Sequence, residues 1–220
     1  MKATSIIGVY KEKNRIYTEN LPCCKGSTVY NERIVYYRDR EFRSWNPYRS
    51  KLAAAISNGL KISFKTDSKI LYLGAATGTT VSHVSDIVRD GWVYAVENSP
   101  VAMKKLLYTC GKRHNVIPVL ADANHPERYG SIVSGVDIVY QDVSQRNQAE
   151  IFKTNVFRYL KKNGEGVLMV KARSIDVSLK PKKAYELVCL ELEDAGLKIE
   201  RRIDLHPYDK DHMVILVSYF

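Results

Sequence analysis

The amino-acid sequence predicts a mostly parallel, doubly wound α/β sheet preceded by a small antiparallel β unit. From Lys69 onward, short apolar runs alternate with segments whose apolar residues recur at helical spacing, the pattern of successive βα units. The stretch Lys69–Thr80, KILYLGAATGTT, reads as a buried strand, a glycine turn and a helix start. The chain closes with Leu197–Leu205 and Met213–Tyr219, apolar segments whose short polar link permits only an antiparallel pair.

Residues 1–44 differ in character from the rest and are expected to form a small domain. Strands are predicted at Ser5–Tyr10, Arg15–Thr18, Thr28–Tyr30 and Arg33–Tyr37, separated by Lys, Asn, Gly and Pro. Residues 45–220 would form the main domain. Asn46-Pro47 predicts its opening helix, with Asn as N-cap and Pro at the first helical position. Leu52, Ala55 and Ile56 give that helix an apolar face, Lys51 lies within it, and Gly59 stops it. After the strand Ile70–Leu73, further strands are predicted at Trp92–Val96, Val116–Leu120, Val136–Tyr140 and Gly166–Val170, which with the closing pair makes a seven-stranded sheet. Helices are marked by Val81, Val84 and Val88, by Met103, Leu106, Leu107 and Cys110, by Phe152, Val156, Tyr159 and Leu160, and by Ala184, Leu187, Val188, Leu192 and Ala195, the last closed by Gly196.

Lysine and arginine total 34 against 24 acids, a formal net charge of +10, which suits a polyanionic partner such as nucleic acid. The 4 cysteines show no zinc spacing, and the adjacent pair Cys23-Cys24 makes a poor disulfide framework, so reduced intracellular thiols are expected and no metal. No apolar run is long enough for a transmembrane helix, and the N-terminus is too polar for a signal peptide.

Charged residues recur where strands stop. Glu97 ends the second strand of the main sheet, Asp122 follows the third, Asp142 ends the fourth and Lys171 ends the fifth. His212 opens a strand of opposite direction, so all of these fall on the same carboxyl edge as the Gly74–Gly78 turn, where ligands bind in open α/β sheets. The glycines would let a ligand approach the backbone closely, and the helix start at Thr79 and Thr80 offers free N–H groups. An acid at Glu97 suits the two hydroxyls of a ribose, either in a nicotinamide cofactor or in S-adenosylmethionine. The turn lacks the three-glycine pyrophosphate pattern, the last strands form an antiparallel closing pair, and a helix precedes the first strand of the main sheet; these features favour S-adenosylmethionine.

The segments WNPYRSKLAAAI, LYLGAATGTTVSHVSDIV, YAVENSP, LADANHPERY, VYQDVSQ, VKARSID and PYDKDH, in this order along the main domain, closely resemble the fibrillarin family. The resemblance is to its short, archaeal-type members, without the Gly/Arg-rich tail of nucleolar ones. It implies a Rossmann-like S-adenosylmethionine-dependent methyltransferase that modifies ribose 2′-hydroxyls of rRNA and possibly tRNA. It also implies a box C/D ribonucleoprotein with a guide RNA, a Nop-domain scaffold protein and a kink-turn-binding protein, in the cytoplasm. Cofactor contacts are implied at Gly74, Gly78, Thr79, Thr80, Glu97, Asn98, Asp122, Ala123, Asp142, Val143, Ser144 and Gln145. A catalytic set is implied at Lys51, Asp142, Lys171 and His212. Asn98 stands where the family usually has an aromatic residue, Ser144 where alanine is common, and His206 where glutamate is usual.

The chemistry is consistent with that set. A ribose 2′-hydroxyl is a poor nucleophile at neutral pH, so transfer of a methyl group to it needs alignment and an acceptor for the proton. Lys171 is the candidate base, Asp142 would orient the lysines, and His212 would help to hold the network. A catalytically silent structural subunit and a methyltransferase acting on a protein glutamine are the alternative readings.

Overall fold

Two sheets form, and the chain passes from one to the other where the sequence changes character. The computed structural model describes residues 1–220. Strands β1 (Lys2–Ala3), β2 (Val9–Glu12), β3 (Arg15–Glu19), β4 (Ile34–Tyr37) and β5 (Arg40–Trp45) make an antiparallel sheet of order β1-β2-β3-β5-β4. Thr28–Tyr30 is not a strand. The amides of Val29 and Tyr30 both donate to the Glu32 carboxylate, a local bond that folds the chain back instead of extending it. The first predicted strand is displaced to Val9–Glu12, because Gly8 takes a left-handed conformation with φ of 75°. The β4–β5 hairpin turns on Arg38 and Asp39 with φ of 49° and 59°, a geometry that usually calls for Asn or Gly, and β5 was therefore not anticipated.

Helix α1 (Lys51–Ser57) starts later than expected. Asn46-Pro47 forms a turn in which the Asn46 side chain accepts from the Tyr48 amide at 2.9 Å and the Asn46 carbonyl accepts from the Arg49 amide at 3.0 Å. Ser50 is the N-cap, its hydroxyl accepting from the Ala53 amide at 3.3 Å. Gly59 does close the helix: it has φ of 99°, the Leu60 amide donates to Ala55 and the Gly59 amide to Ile56, a Schellman termination.

The remaining elements are β6 (Lys69–Leu73), α2 (Thr79–Ile87), β7 (Trp92–Glu97), α3 (Pro100–Cys110), β8 (Val116–Leu120), β9 (Val136–Gln141), α4 (Gln148–Tyr159), β10 (Leu160–Lys171), α5 (Ala172–Ile175), α6 (Pro181–Asp194), β11 (Lys198–Asp204) and β12 (His212–Tyr219). The sheet is seven-stranded with order β11-β12-β10-β9-β6-β7-β8. Pairing is parallel from β10 through β9, β6 and β7 to β8, and β12 runs antiparallel to both its neighbours. Side chains alternate between the faces of this sheet, and both faces are covered. Ile70, Tyr72, Val93 and Ile138 pack with α1, α2, α3 and the small sheet, whereas Leu71, Leu73, Val139 and Leu168 pack with α4 and α6. Leu107 and Leu187, expected on buried helix faces, are exposed. No helix is long and apolar enough to cross a membrane.

A buried ionic cluster ties the small sheet to α2. Asp86, at the centre of it, accepts from Arg43 Nη1 at 2.8 Å, Thr18 Oγ1 at 2.8 Å and Arg113 Nη1 at 2.5 Å. Arg43 also donates to Glu32 at 2.6 Å and to Ser82 at 2.9 Å, and its side chain has 0% exposure. Because Thr18 spends its proton on Asp86, it accepts from His83 Nδ1 at 2.7 Å, and the other ring nitrogen, Nε2, shares the single Tyr30 hydroxyl proton with the Ser44 carbonyl, each 2.9 Å from that hydroxyl. Burial holds the His83 imidazole neutral, well below its ordinary pKa, and Arg43 and Arg113 push the same way.

Removing one partner from such a cluster leaves a buried charge uncompensated. Arg43→Met is therefore expected to lower stability by about 3–5 kcal/mol, measured by urea denaturation. The neutral His83 also sets a pH dependence. The unfolded chain takes up a proton at this ring below about pH 6.5 while the folded chain does not, so stability is full above that pH and declines below it, by up to about 1.4 kcal/mol per pH unit. Denaturation series at pH 7 and 5.5 measure the slope, and His83→Asn is expected to flatten it.

Candidate functional site

Strands β6, β7, β8 and β9 end together on one edge, and the chain order reverses between β6 and β9. A cavity of about 300 Å³ opens at that reversal, lined by Gly74, Ala76, Val96, Glu97, Asn98, Ala121, Asp122, Ala123, Asp142, Val143, Ser144 and Gln145. Its charged lining consists of Glu97, Asp122 and Asp142, with no lysine or arginine. Such a lining repels phosphates and accepts hydroxyls, amines and positive charge, which argues against a pyrophosphate-bearing dinucleotide.

Glu97 is buried at the base of the cavity and held from both sides. Its Oε2 accepts from the Ala76 amide and its Oε1 from the Ser99 amide, each at 2.8 Å. Ala76 presents that amide because it adopts a left-handed conformation, φ 48°, inside the β6–α2 turn. Asp122 accepts at Oδ1 from the backbone and side-chain amides of Asn124, both at 2.9 Å, and the backbone bond chiefly holds its carboxyl below the usual range. Asn124 in turn donates to Gln145 at 2.8 Å and accepts from Asn147 at 2.7 Å, which closes the rim between β8 and β9. Ala76, Val96, Ala121 and Asn124 were not anticipated as part of this site. The DAN tripeptide at 122–124, typical of an Asx turn, is the one sequence signal that pointed to Asn124.

Gly74 lines the cavity, and both glycines of the turn are also required by the protein's own packing. A Cβ at Gly74 would overlap the Asp142 carbonyl oxygen, and one at Gly78 would come within 2.8–2.9 Å of Thr109, Cys110 and Leu106 in α3. Close approach at Gly78 within the protein is thus to α3. Gly78, Thr79 and Thr80 do not line the cavity. Thr79 borders a separate groove with Arg49, Lys104, Lys105 and Tyr108, and the Thr80 hydroxyl donates to Ser50 at 2.9 Å.

Lys51, Asp142, Lys171 and His212 form two pairs: Lys51, at the start of α1, with Asp142 just after β9, and Lys171, ending β10, with His212, opening β12. Lys51 Nζ donates to both Asp142 oxygens, at 2.7 and 2.9 Å, and each side chain is about one-fifth exposed, 22% and 21%. Lys171 and His212 are directly opposite each other in the β10–β12 ladder, so their side chains leave the same face of the sheet. His212 is buried, with Nδ1 at 2.8 Å from the Lys210 carbonyl and 2.9 Å from Asp209. Lys171 is half-buried, and its amine has no hydrogen bond or ion pair within the protein. Asp142 thus orients one lysine, Lys51, and leaves the other free. Beneath Asp142, Tyr72 and Tyr140 pack with ring centroids 4.4 Å apart, and burial together with the nearby carboxylate raises both phenols above their ordinary pKa.

The model of the family described as Fibrillarin matches residues 1–220. The chain belongs to the fibrillarin family. A "Fibrillarin-like rRNA/tRNA 2'-O-methyltransferase" of Methanocaldococcus jannaschii is 50% identical over 203 residues, covering 92% of this chain and 87% of that protein. Among solved structures, Aeropyrum pernix fibrillarin with natively bound S-adenosyl-L-methionine superposes with a TM-score of 0.88 at 42% identity, covering 99% of this chain and 97% of that one. Fibrillarin from a fibrillarin/Nop5p complex superposes with a TM-score of 0.91 at 42% identity, covering 100% of both chains.

Glu97 gives this site its clearest test. A glutamine offers only one acceptor oxygen where the turn presents two N–H donors, from Ala76 and Ser99. Glu97→Gln is expected to cost about 1–3 kcal/mol of stability by leaving one donor unpaired. Thermal denaturation and calorimetric titration with S-adenosylmethionine should show the loss in both stability and affinity.

Proposed function

We infer that this fibrillarin-family chain is an S-adenosylmethionine-dependent ribose 2′-O-methyltransferase of rRNA and tRNA, acting as the catalytic subunit of a guide-RNA-directed box C/D ribonucleoprotein. The observation that carries this reading is the juxtaposition of an acidic, phosphate-repelling cavity with the Lys51–Asp142 and Lys171–His212 pairs on one sheet edge. The naming of relatives as rRNA/tRNA 2′-O-methyltransferases, and the binding of S-adenosyl-L-methionine by one relative, supply substrate and cofactor.

The donor set fits that cofactor. Glu97 would accept from the ribose hydroxyls with the lone pairs that its backbone partners leave over. Asn98, Asp122 and Ala123 would flank the adenine, and Asp142 to Gln145 the methionine end. When bound, the cofactor supplies a methyl group made electrophilic by its sulfonium. The protein's own part is to align the target hydroxyl and take its proton. Lys51 is engaged by both Asp142 oxygens and acts as a fixed positive charge at the end of β9. Lys171 Nζ, which has no partner within the protein, would act in its neutral amine form, taking the proton of the 2′-hydroxyl to become the ammonium as the oxygen bonds to the methyl carbon, and His212 flanks it from β12. His212 is itself oriented through Nδ1 by Asp209 and the Lys210 carbonyl.

Selection of the RNA site would fall to the guide RNA, because the net charge of +10 gives only sequence-independent affinity for phosphates. A Nop-domain protein is the scaffold partner, by analogy with the relative solved with Nop5p, and a kink-turn-binding protein completes the particle in the cytoplasm.

Lys171→Ala is expected to reduce single-turnover methylation of target RNA by about 10²–10⁴-fold, with the cofactor dissociation constant unchanged. Lys171→Arg should not restore the rate, because a guanidinium stays protonated. Near-normal turnover by the arginine variant would make Lys171 a fixed charge and remove it as the base.

A further inference from the structure

Lys171 lies beyond the end of the sheet on one side. The β9–β10 ladder runs to Leu168 paired with Gln141 and stops there, while on the other side β12 continues to His212 opposite Lys171. The backbone of Lys171 nevertheless has a partner on the β9 side. Gln148, the first residue of α4, receives the Lys171 N–H at its Oε1 (3.0 Å) and donates from its Nε2 to the Lys171 carbonyl (3.2 Å). The carboxamide thus acts as the next rung of the ladder, exchanging bonds with both backbone polar groups of one residue as a strand residue would. The same Nε2 donates to the Gln145 carbonyl at 3.2 Å, and Gln145 lines the cavity. Gln141 Nε2 fixes the Gln148 backbone in turn, donating to its carbonyl at 2.6 Å. Gln148 has 0% exposure, so no water competes for these bonds.

We propose that Gln148 is a positioning residue for methyl transfer: its carboxamide fixes the backbone of Lys171 relative to the 142–145 loop and thereby sets the reach of the Lys171 amine to the reacting hydroxyl. The inference rests on Lys171 being the base. Asn at this position would be too short to span to Lys171. Met fills the space but makes none of the three side-chain bonds. Glu keeps the acceptor for the Lys171 N–H and loses both donors.

The test uses the assembled particle with guide RNA, target RNA and labelled S-adenosylmethionine. Single-turnover rates are measured at saturating cofactor for wild type, Gln148→Met, Gln148→Glu and Lys171→Ala, alongside cofactor affinity and melting temperature. Misplacement of a catalytic group by about 1 Å costs on the order of 10²-fold, and that loss is expected for Gln148→Met with cofactor affinity within about threefold of wild type. Gln148→Glu, with one bond retained, should recover about tenfold of it. A Gln148→Met rate close to wild type, or a loss that saturating cofactor restores, overturns the proposal. If Gln148→Met does not fold, Gln148→Glu decides: a rate reduced at saturating cofactor supports the proposal and a wild-type rate overturns it. An inactive Lys171→Ala beside a normal Gln148 variant defeats this inference alone, whereas an active Lys171→Ala defeats the assignment of the base and this inference with it.

Discussion

Asp86 is the point on which the arrangement of the molecule depends. Its carboxylate, fully buried in α2, takes Arg43 and Thr18 from the small sheet and Arg113 from the segment after α3. A buried carboxylate without those partners would be costly, so separating any one of the three segments from it is opposed. The small sheet is thereby fixed against α2, and the end of β5 at Trp45 is fixed with it. Trp45 stacks on His83, with centroids 5.0 Å apart. From there only a turn and the Ser50 cap separate the chain from Lys51. The lysine that meets Asp142 is thus placed by an ionic cluster in another part of the protein, and the candidate catalytic edge draws on both sheets.

The main sheet was legible because its strands are buried on both faces and so read as unbroken apolar runs bounded by turn residues. The acids and the lysine at the strand ends were legible for a related reason: strand direction puts every such residue on one edge, and the glycine turn says which edge matters. The small sheet was only half legible. Strand β5 carries Arg43, which is charged in sequence and wholly buried in the fold, so its alternation reads as polar. Asn46-Pro47 has the composition of a helix start, yet the Asn46 side chain bonds two residues on and makes a turn, leaving the cap to Ser50. Local side-chain bonds of this kind compete with helix formation, and the tertiary setting decides between them.

The parts of the site that escaped the sequence share a physical origin. Ala76 matters through its amide, Asn124 through a carboxamide that spans from Asp122 to Gln145, and Gln148 through bonds to the backbone of a residue 23 positions away. None of these roles follows from residue type or periodicity; each arises from a backbone conformation or a long-range approach. The glycines combine two roles: Gly74 lines the cavity, as its place in the turn suggested, and both glycines also let backbone or helix surfaces come together.

The distribution of charge separates the two kinds of ligand. The cavity is lined by carboxylates while the protein as a whole carries a net charge of +10, so a small cation and a polyanion are drawn to different places on one molecule. Dissolved ions act unequally on these places. At physiological ionic strength screening sets in over about 8 Å, which blunts attraction between exposed basic side chains and a distant phosphate chain. Lys51 and Asp142, in contact at 2.7 Å and largely shielded from water, lie well inside that length. Ionic strength is therefore a selective handle: it loosens the attraction for a polyanion while leaving the inner pair and the cavity beside it in register.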